Sequence, residues 1–136
     1  MRGEFKSTLD SKGRMNFPVK LREELGSEFV IFKATDVKCI KVFSREDWED
    51  LVQRIKADPE TADFQRILFG NAFDAEADKQ GRVLIPAKLR EYAELETDVV
   101  ILGLEGRAEI WNKANWDALN ATPEPDMKAF AKRFGL

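Results

Sequence analysis

The sequence contains no histidine, and its one cysteine is Cys39. Without histidine there are no imidazole general bases, no Ser-His or Cys-His nucleophile pairs, and none of the commonest zinc ligand. A single cysteine allows no disulfide within the chain, so a reducing cytosol is the expected compartment. Carboxylate chemistry, a metal held by oxygen atoms, or no catalysis at all are the possibilities that remain.

Long apolar runs are missing as well. The longest, Val99 to Leu104, has six residues, whereas a membrane span needs roughly 18 to 20. The start, Met1 to Lys6, has neither an apolar core nor a small-residue cleavage site, so no secretory signal is expected. With 136 residues, 43% of them apolar and 35% charged, the chain is predicted to be a soluble globular protein of one domain or two very small ones.

The charge is unevenly distributed along the chain. The net charge is −3, yet residues 1–22 carry six basic and two acidic side chains, a balance of +4. Residues 44–64 carry three basic and seven acidic side chains, a balance of −4. Such segregation is typical of solvated helix faces, and equally of a basic surface that binds an acidic partner.

The chain is a tandem duplication. At an offset of 68 residues, positions 10–51 align without a gap to positions 78–119, and 11 of the 42 pairs are identical. The identities cluster in three places: an Asp-x-x-Gly-Arg segment, a proline, and a Lys-Leu-Arg-Glu segment. These are residues 10–14 and 78–82, Pro18 and Pro86, and residues 20–23 and 88–91. Repeats of this kind determine the fold, because each copy must form the same elements.

The same local structure is predicted for both copies. A short strand leads into Asp-x-x-Gly-Arg, where glycine permits a tight turn with positive φ. A second short strand follows, and a proline then stands at the first position of a helix. Two further apolar strands joined by a hairpin complete each copy. The predicted second strands are 15–17 and 83–85, the helices 18–25 and 86–93, and the hairpin strands 29–32, 40–43, 99–102 and 108–111.

Helices are also predicted after each hairpin. Ser44 and Asn112 are expected to cap helices that carry Trp48 and Trp116 inward. A further helix is expected from Thr61 to Gly70, with Phe64, Ile67 and Leu68 on one face, and the tail has apolar positions at Met127, Phe130 and Phe134.

One copy of about 44 residues is too small to bury an adequate core alone. The two copies are therefore expected to pack on each other. Ten phenylalanines and three tryptophans exceed what one small core requires. We expect part of this aromatic surface to be buried between subunits.

The repeated motif, Asp-x-Lys-Gly-Arg with an apolar strand, a proline and a Leu-Arg-Glu helix, resembles the AbrB-type swapped-hairpin DNA-binding unit. Two such units in tandem resemble the MraZ family of bacterial regulators; further matches are Arg2-Gly-Glu-Phe, Asp78 to Pro86, Leu89 to Ala93, Asp98 to Gly103 and Glu109-Ile-Trp. The resemblance implies an α+β, mostly β fold. In it, pseudo-symmetric β-α-β swapped-hairpin repeats form a double-psi-like or AbrB barrel core with added helices. The corresponding division is repeat 1 at 4–47, a helical linker at 48–71, repeat 2 at 72–115 and a helical tail at 116–136.

The resemblance also implies a function, that of a sequence-specific regulator. It would bind double-stranded DNA at direct repeats in the promoter of its own division and cell-wall operon and repress that operon. The partners implied are this DNA and further copies of the chain in a ring. The location implied is the cytoplasm, at the nucleoid. Neither a cofactor, a metal, a membrane nor a small-molecule substrate is expected.

By the same resemblance, four basic residues would contact DNA: Lys12, Arg14, Lys79 and Arg82. Asp10, Gly13, Asp78 and Gly81 would support the turns. The sequence departs from an even pair at Gln80, which aligns with Lys12. We therefore predict that Arg14 contributes more to binding than Arg82.

The same residues also allow interpretations without DNA binding. Asp10–Arg14 and Asp78–Arg82 are what turn-stabilising ion pairs would look like, copied with the unit. Solvated or ion-paired helix faces are the expectation for Lys20, Arg22, Lys88 and Arg90, and a packing role is the expectation for Cys39. An enzyme could gather Asp74, Glu76 and Asp78 around Mg²⁺. Yet copy one has no acidic counterparts of the first two, and no phosphate loop accompanies them. A protein-binding, antitoxin-like role and a structural ring without DNA readout are two further functions that the sequence permits.

Overall fold

Eight strands and six helices follow one another in the order that the duplication predicts, in a computed structural model that describes residues 1–136. The strands are β1 (Arg2–Thr8), β2 (Arg14–Asn16), β3 (Glu28–Lys33), β4 (Ile40–Ser44), β5 (Ala72–Glu76), β6 (Arg82–Leu84), β7 (Asp98–Leu104) and β8 (Ala108–Asn112). The helices are α1 (Val19–Leu25), α2 (Arg45–Ala57), α3 (Ala62–Phe69), α4 (Ala87–Tyr92), α5 (Lys113–Ala121) and α6 (Met127–Phe134). None of these helices combines the length and apolar character that crossing a membrane requires.

Strand exchange between the copies organises the sheets. Six strands form an antiparallel sheet in the order β1-β7-β8-β4-β3-β5, and β2 pairs with β6 in a separate two-stranded ribbon. The first strand of each copy therefore pairs with the third strand of the other copy. The fold is α+β, as expected, with the two copies interlocked. The pairings leave β1 and β5 as sheet edges and describe an open sheet rather than a closed barrel.

The strand register corrects the gapless alignment of the two copies. Phe5 of β1 pairs with Ile101, and its counterpart Phe73 of β5 pairs with Ile31. Ile31 and Ile101 are therefore equivalent at an offset of 70 residues, whereas Met15 and Val83 pair about the pseudo-symmetry axis at an offset of 68. Copy two has a longer connection before its third strand and a shorter hairpin after it. Loops absorbed both changes, because a slip within the strand would have turned its buried side chains outward.

The main core lies between one face of the sheet and the layer formed by α1, α4 and the ribbon. Equivalent residues of the two copies contribute in pairs, with Leu21 beside Leu89 and Met15 beside Val83, all of them buried. Neither copy encloses this core alone. The expectation that the copies pack on each other is confirmed.

Two smaller clusters lie on the opposite face of the sheet. The Trp48 ring packs 4.9 Å from Phe32 between centroids, and Trp116 packs 5.8 Å from Trp111. The predicted packing roles of both tryptophans are confirmed. Cys39 is fully buried in the second cluster, and this burial raises the pKa of its thiol, as expected of a packing residue.

The predicted helix starts are correct for the hairpin helices and off by one residue for the proline helices. Ser44 Oγ accepts from the Asp47 N–H at 3.1 Å, and Asn112 Oδ1 accepts from the Asn115 N–H at 3.0 Å. Side-chain caps of this kind stabilise a helix by about 1 kcal/mol. Pro18 and Pro86 occupy the N-cap with extended ψ values of 140° and 144°, instead of the first helical position.

Candidate nucleic-acid interface

The turn between β1 and β2 is built around the Asp10 carboxylate. One oxygen, Oδ1, accepts from the backbone N–H groups of Lys12 and Arg14, both at 2.9 Å. The other, Oδ2, accepts from Arg14 Nε at 2.9 Å. The Gly13 N–H closes the turn onto the Asp10 carbonyl at 3.1 Å. A single carboxylate thus fixes the backbone and holds the arginine side chain by its inner nitrogen.

The second copy repeats this geometry. Asp78 Oδ1 accepts from the backbone N–H groups of Gln80 and Arg82, both at 2.9 Å, and Oδ2 accepts from Arg82 Nε at 3.0 Å. In both copies, hydrogen bonding lowers the pKa of the aspartate. The largest cause is the backbone N–H of the arginine, and the arginine side chain adds to it. The carboxylates are therefore firmly charged at neutral pH. The predicted ion pairs are present.

The turn glycines are required for two reasons. Gly13 and Gly81 have φ values of +83° and +80°, which side chains rarely adopt. Both also lie beneath a guanidinium of the opposite copy. A Cβ on Gly13 would lie 3.0 Å from Arg90 Cζ, and one on Gly81 would lie 2.9 Å from Arg22 Nη2.

Arg22 and Arg90 are consequently part of the interface between the copies. Arg22 Nε donates to the Phe17 carbonyl at 3.2 Å, and Arg90 Nε donates to the Ile85 carbonyl at 3.0 Å. Neither arginine forms a salt bridge, and both are half-buried. The expectation of a solvated or ion-paired face is wrong for these two residues. It is correct for Lys20 and Lys88, which are exposed.

Backbone hydrogen bonds complete this reciprocal support. The Phe17 N–H donates to the Gly81 carbonyl at 3.0 Å, and the Ile85 N–H donates to the Gly13 carbonyl at 2.8 Å. Each turn is thus anchored by the strand and helix of the other copy. The recurrence of arginine at positions 22 and 90 was the sequence signal for this role, but sequence alone could not show which copy each side chain would contact.

The ribbon has a buried face and an open face. Met15 and Val83 pair at its centre and are buried in the core. Because side chains alternate along a strand, the residues on either side of them point outward. Arg14 and Asn16 lie on β2, and Arg82 and Leu84 lie on β6. Asn16 and Leu84 were absent from the sequence-based prediction, although the alternation about buried Met15 indicated them.

The basic residues predicted for the site are distributed over this open face and its ends. Arg14 and Arg82 are engaged by the aspartates through Nε, so the outer guanidinium nitrogens carry no hydrogen bond within the chain. Lys12 and Lys79 are exposed in the two turns. The surface can therefore offer two fixed, fork-shaped donors flanked by flexible ammonium groups.

The carboxylates considered for an enzyme are differently arranged. Asp74 lies 3.4 Å from Arg45 and Asp78 lies 3.0 Å from Arg82, each in an ion pair. Glu76 faces Glu28 across β5 and β3. No three side chains of metal-ligating type come together anywhere in the chain.

Two interlocked β-α-β copies that display paired Asp-x-x-Gly-Arg turns on a shared ribbon define a tandem swapped-hairpin protein. The family model described as "MraZ protein, putative antitoxin-like" matches residues 1–68 and again residues 68–135. This chain belongs to the MraZ family.

Curated relatives agree along almost the whole length. "Transcriptional regulator MraZ" of Heliobacterium modesticaldum is 44% identical over 135 residues, which cover 96% of this chain and 94% of the relative. The protein of the same name from Desulforamulus reducens is 42% identical over 134 residues, covering 96% and 94%. That of Carboxydothermus hydrogenoformans is 44% identical over 119 residues, covering 85% and 82%. The chain is thus a member of a family of transcriptional regulators.

Proposed function

We propose that this protein regulates transcription by binding double-stranded DNA in a sequence-specific manner through the β2–β6 ribbon. The observation that carries the proposal is the pair of arginines, Arg14 and Arg82, that two aspartates hold by Nε on an exposed two-stranded ribbon. A two-stranded ribbon fits the major groove of B-DNA, and a guanidinium whose outer nitrogens are free can contact guanine O6 and N7.

The spacing of the two arginines suits this role. They occupy diagonal positions of the ribbon, because Arg14 pairs with Leu84 and Arg82 pairs with Asn16. Diagonal side chains in an antiparallel pair lie roughly 7–8 Å apart, which is about two base-pair steps at about 3.4 Å each. Each bidentate contact contributes about 1–3 kcal/mol of base discrimination. Lys12 and Lys79 at the turns are positioned to contact phosphates, which adds salt-dependent affinity without sequence information.

A single ribbon on a chain of net charge −3 should bind weakly, so we propose that several copies act together in a ring. Two apolar faces support such an assembly. Phe64 and Ile67 of α3 are 68% and 56% exposed, and Phe130 and Phe134 of α6 are 47% and 59% exposed. The prediction that Phe64, Ile67 and Leu68 share one face is thus resolved by position: Leu68 packs against the sheet, and the other two remain open.

The charges around the two faces are complementary. Residues 58–64 of the α3 end carry Asp58, Glu60 and Asp63 and no basic residue, whereas α6 carries Lys128, Lys132 and Arg133 and no acidic residue. We therefore propose that α6 of one subunit packs on α3 of the next. Such a head-to-tail contact generates a ring, and neighbouring subunits of a ring present their ribbons in the same direction. Direct repeats in the DNA would match this arrangement.

The family resemblance suggests the target. We propose that the protein, located at the nucleoid in the cytoplasm, binds direct repeats upstream of its own gene and represses a division and cell-wall operon. The division into repeats at 4–47 and 72–115, a linker at 48–71 and a tail at 116–136 is part of this proposal.

Fluorescence anisotropy on labelled DNA from the region upstream of the gene tests the DNA-binding proposal. Wild type should bind this duplex more tightly than a scrambled duplex at near-physiological salt, and Arg14→Ala should remove the preference. Arg54→Ala is the matched control, because Arg54 is an exposed arginine of α2 that also pairs with an aspartate, Asp50 at 3.2 Å. Equal affinity of wild type for both duplexes would contradict the proposal and favour an antitoxin-like or structural role.

Light scattering coupled to size exclusion tests the assembly. Phe64→Glu and Phe130→Glu should each lower the mass of the oligomer, because each places a carboxylate in the proposed apolar contact. Leu104→Glu, at an exposed leucine outside both faces, should leave the mass unchanged. An unchanged mass in the two phenylalanine variants would refute the α3–α6 contact.

A further inference from the structure

The open face of the ribbon is asymmetric at one pair of equivalent positions. At the offset of 68 residues, Asp10, Gly13 and Arg14 have identical counterparts, but Asn16 corresponds to Leu84. Both residues are exposed, and Leu84 is 58% exposed. The pseudo-two-fold symmetry of the ribbon therefore presents an amide on one strand and an isobutyl group on the other.

The register places each of these residues directly beside an arginine of the other copy. Leu84 is paired with Arg14, and Asn16 is paired with Arg82. The neighbouring ladder bonds join Phe17 to Gly81 and Ile85 to Gly13. Because hydrogen-bonded pairs alternate with non-hydrogen-bonded pairs, 14/84 and 16/82 are of the non-hydrogen-bonded type. Side chains of such pairs stand closest together, with Cα atoms about 4.5 Å apart.

We infer that Asn16 and Leu84 are specificity-determining residues that make each ribbon read an asymmetric DNA site. This inference rests on the proposed function and assigns one further base contact to each arginine. The Arg82–Asn16 pair reads guanine next to adenine, since the asparagine amide matches adenine N6 and N7. The Arg14–Leu84 pair reads guanine next to thymine, since the only apolar group on a base edge in the major groove is the thymine methyl.

An asymmetric readout has a consequence for orientation. A ribbon with identical strands would bind equally well in either direction on the duplex. The amide on one strand and the leucine on the other give each subunit one preferred direction. Subunits of the proposed ring would then require sites of one orientation, as direct repeats provide.

The expected effects differ between the two positions. A bidentate amide contact to adenine discriminates about 5- to 150-fold against other bases. Burial of the leucine against a thymine methyl is worth less, about fourfold, because it removes roughly one methyl group from water. The preference for adenine beside Arg82 should therefore exceed the preference for thymine beside Arg14.

Competition binding with every single base-pair substitution of the native upstream duplex tests the inference. The full-length proteins to compare are wild type, Leu84→Asn, Asn16→Leu and the control Leu104→Asn. Leu104 is an exposed leucine that pairs with Arg2, at the end of β1 farthest from the ribbon. Leu84→Asn should change one preferred base from thymine to adenine, so that the two halves of each site become equivalent. Asn16→Leu should change the other from adenine to thymine, and Leu104→Asn should leave the profile as in wild type.

The outcomes separate the two proposals. Equal binding of native and scrambled DNA by wild type would overturn the proposed function. Sequence-specific binding with the same base profile in wild type, Leu84→Asn and Asn16→Leu would overturn this inference alone. Both substitutions are at exposed side chains, and unchanged unfolding curves would show that the variants retain the fold.

Discussion

The two turns agree almost atom for atom, whereas the surfaces around them differ. Their corresponding hydrogen bonds match to within 0.2 Å, the largest difference being 3.1 against 2.9 Å for the glycine N–H. By contrast, Lys12 corresponds to Gln80, and Asn16 corresponds to Leu84. The comparison indicates which positions serve the shared frame and which are free to set the function of each copy.

Interlocking explains why the frame stays symmetric. Each turn is anchored by hydrogen bonds from the opposite copy and is covered by its arginine. A change in one turn would therefore disturb elements of both copies. Outward side chains such as Asn16 and Leu84 touch no part of this frame, so they can diverge without loss of stability.

The largest effect should come from the buried leucines of the frame, and it should be equal in the two copies. Leu21 and Leu89 are fully buried at equivalent positions of α1 and α4 in one core. Leu21→Ala and Leu89→Ala should each lower the free energy of unfolding by about 2–5 kcal/mol. Urea unfolding at one protein concentration measures this. A loss at only one of the two positions would show that the copies are energetically separate.

The next effect concerns DNA and should be unequal. Arg14→Ala should weaken binding to the native duplex by more than Arg82→Ala, each within a range of about 1–3 kcal/mol. The reason is that Lys12 accompanies Arg14 in its turn, while Gln80 stands at the corresponding position of the other turn. Anisotropy at two salt concentrations measures both variants. Equal losses, or a larger loss for Arg82→Ala, would refute the ranking.

A smaller effect isolates the contact between the copies. Gly81→Ala and Gly106→Ala both place a side chain at positive φ, +80° and +91°, which costs about 1–2 kcal/mol. Only the first also places a Cβ against Arg22, since nothing lies within 4 Å of the second. Gly81→Ala should therefore destabilise the protein more, as measured by urea unfolding. This excess should vanish in the Arg22→Ala background; its persistence would contradict the proposed cover.

The smallest effect is a pH dependence shared by the two turns. Folding lowers the pKa of Asp10 and Asp78. Their contribution to stability is thus complete above the ordinary aspartate pKa and is lost as the pH falls through the lowered folded value. The free energy of unfolding should decline in this acidic window, and Asp10→Asn or Asp78→Asn should make the decline shallower by similar amounts. An unaltered pH profile in both variants would show that the carboxylates do not hold the turns.

Much of this architecture was predictable from local patterns. The duplication, the strand–turn–strand–helix order and the caps at Ser44 and Asn112 follow from residue types at fixed spacing. The opposed length changes of the loops around Ile31 and Ile101 did not, because they cancel in the alignment and emerge only from strand pairing. The open sheet in place of a barrel likewise depends on long-range pairing.

The site was predictable in part for the same reason. The turn residues follow from the repeated Asp-x-x-Gly-Arg. The positions of Arg22 and Arg90 depend on how the copies interlock, and a pattern within one copy carries no information about that. Asn16 and Leu84 differ from each other, so a search for repeated identities passes over them, although strand alternation exposes both.

The most direct test of DNA readout by the two turns is the sequence preference of the double variant Arg14→Ala/Arg82→Ala. Its affinity for the native upstream duplex and for a scrambled duplex should be compared by anisotropy with that of wild type and of Arg54→Ala. We predict that the double variant keeps the oligomer mass of wild type and binds both duplexes equally weakly. A double variant that still prefers the native duplex would contradict the claim that the two turns read the DNA.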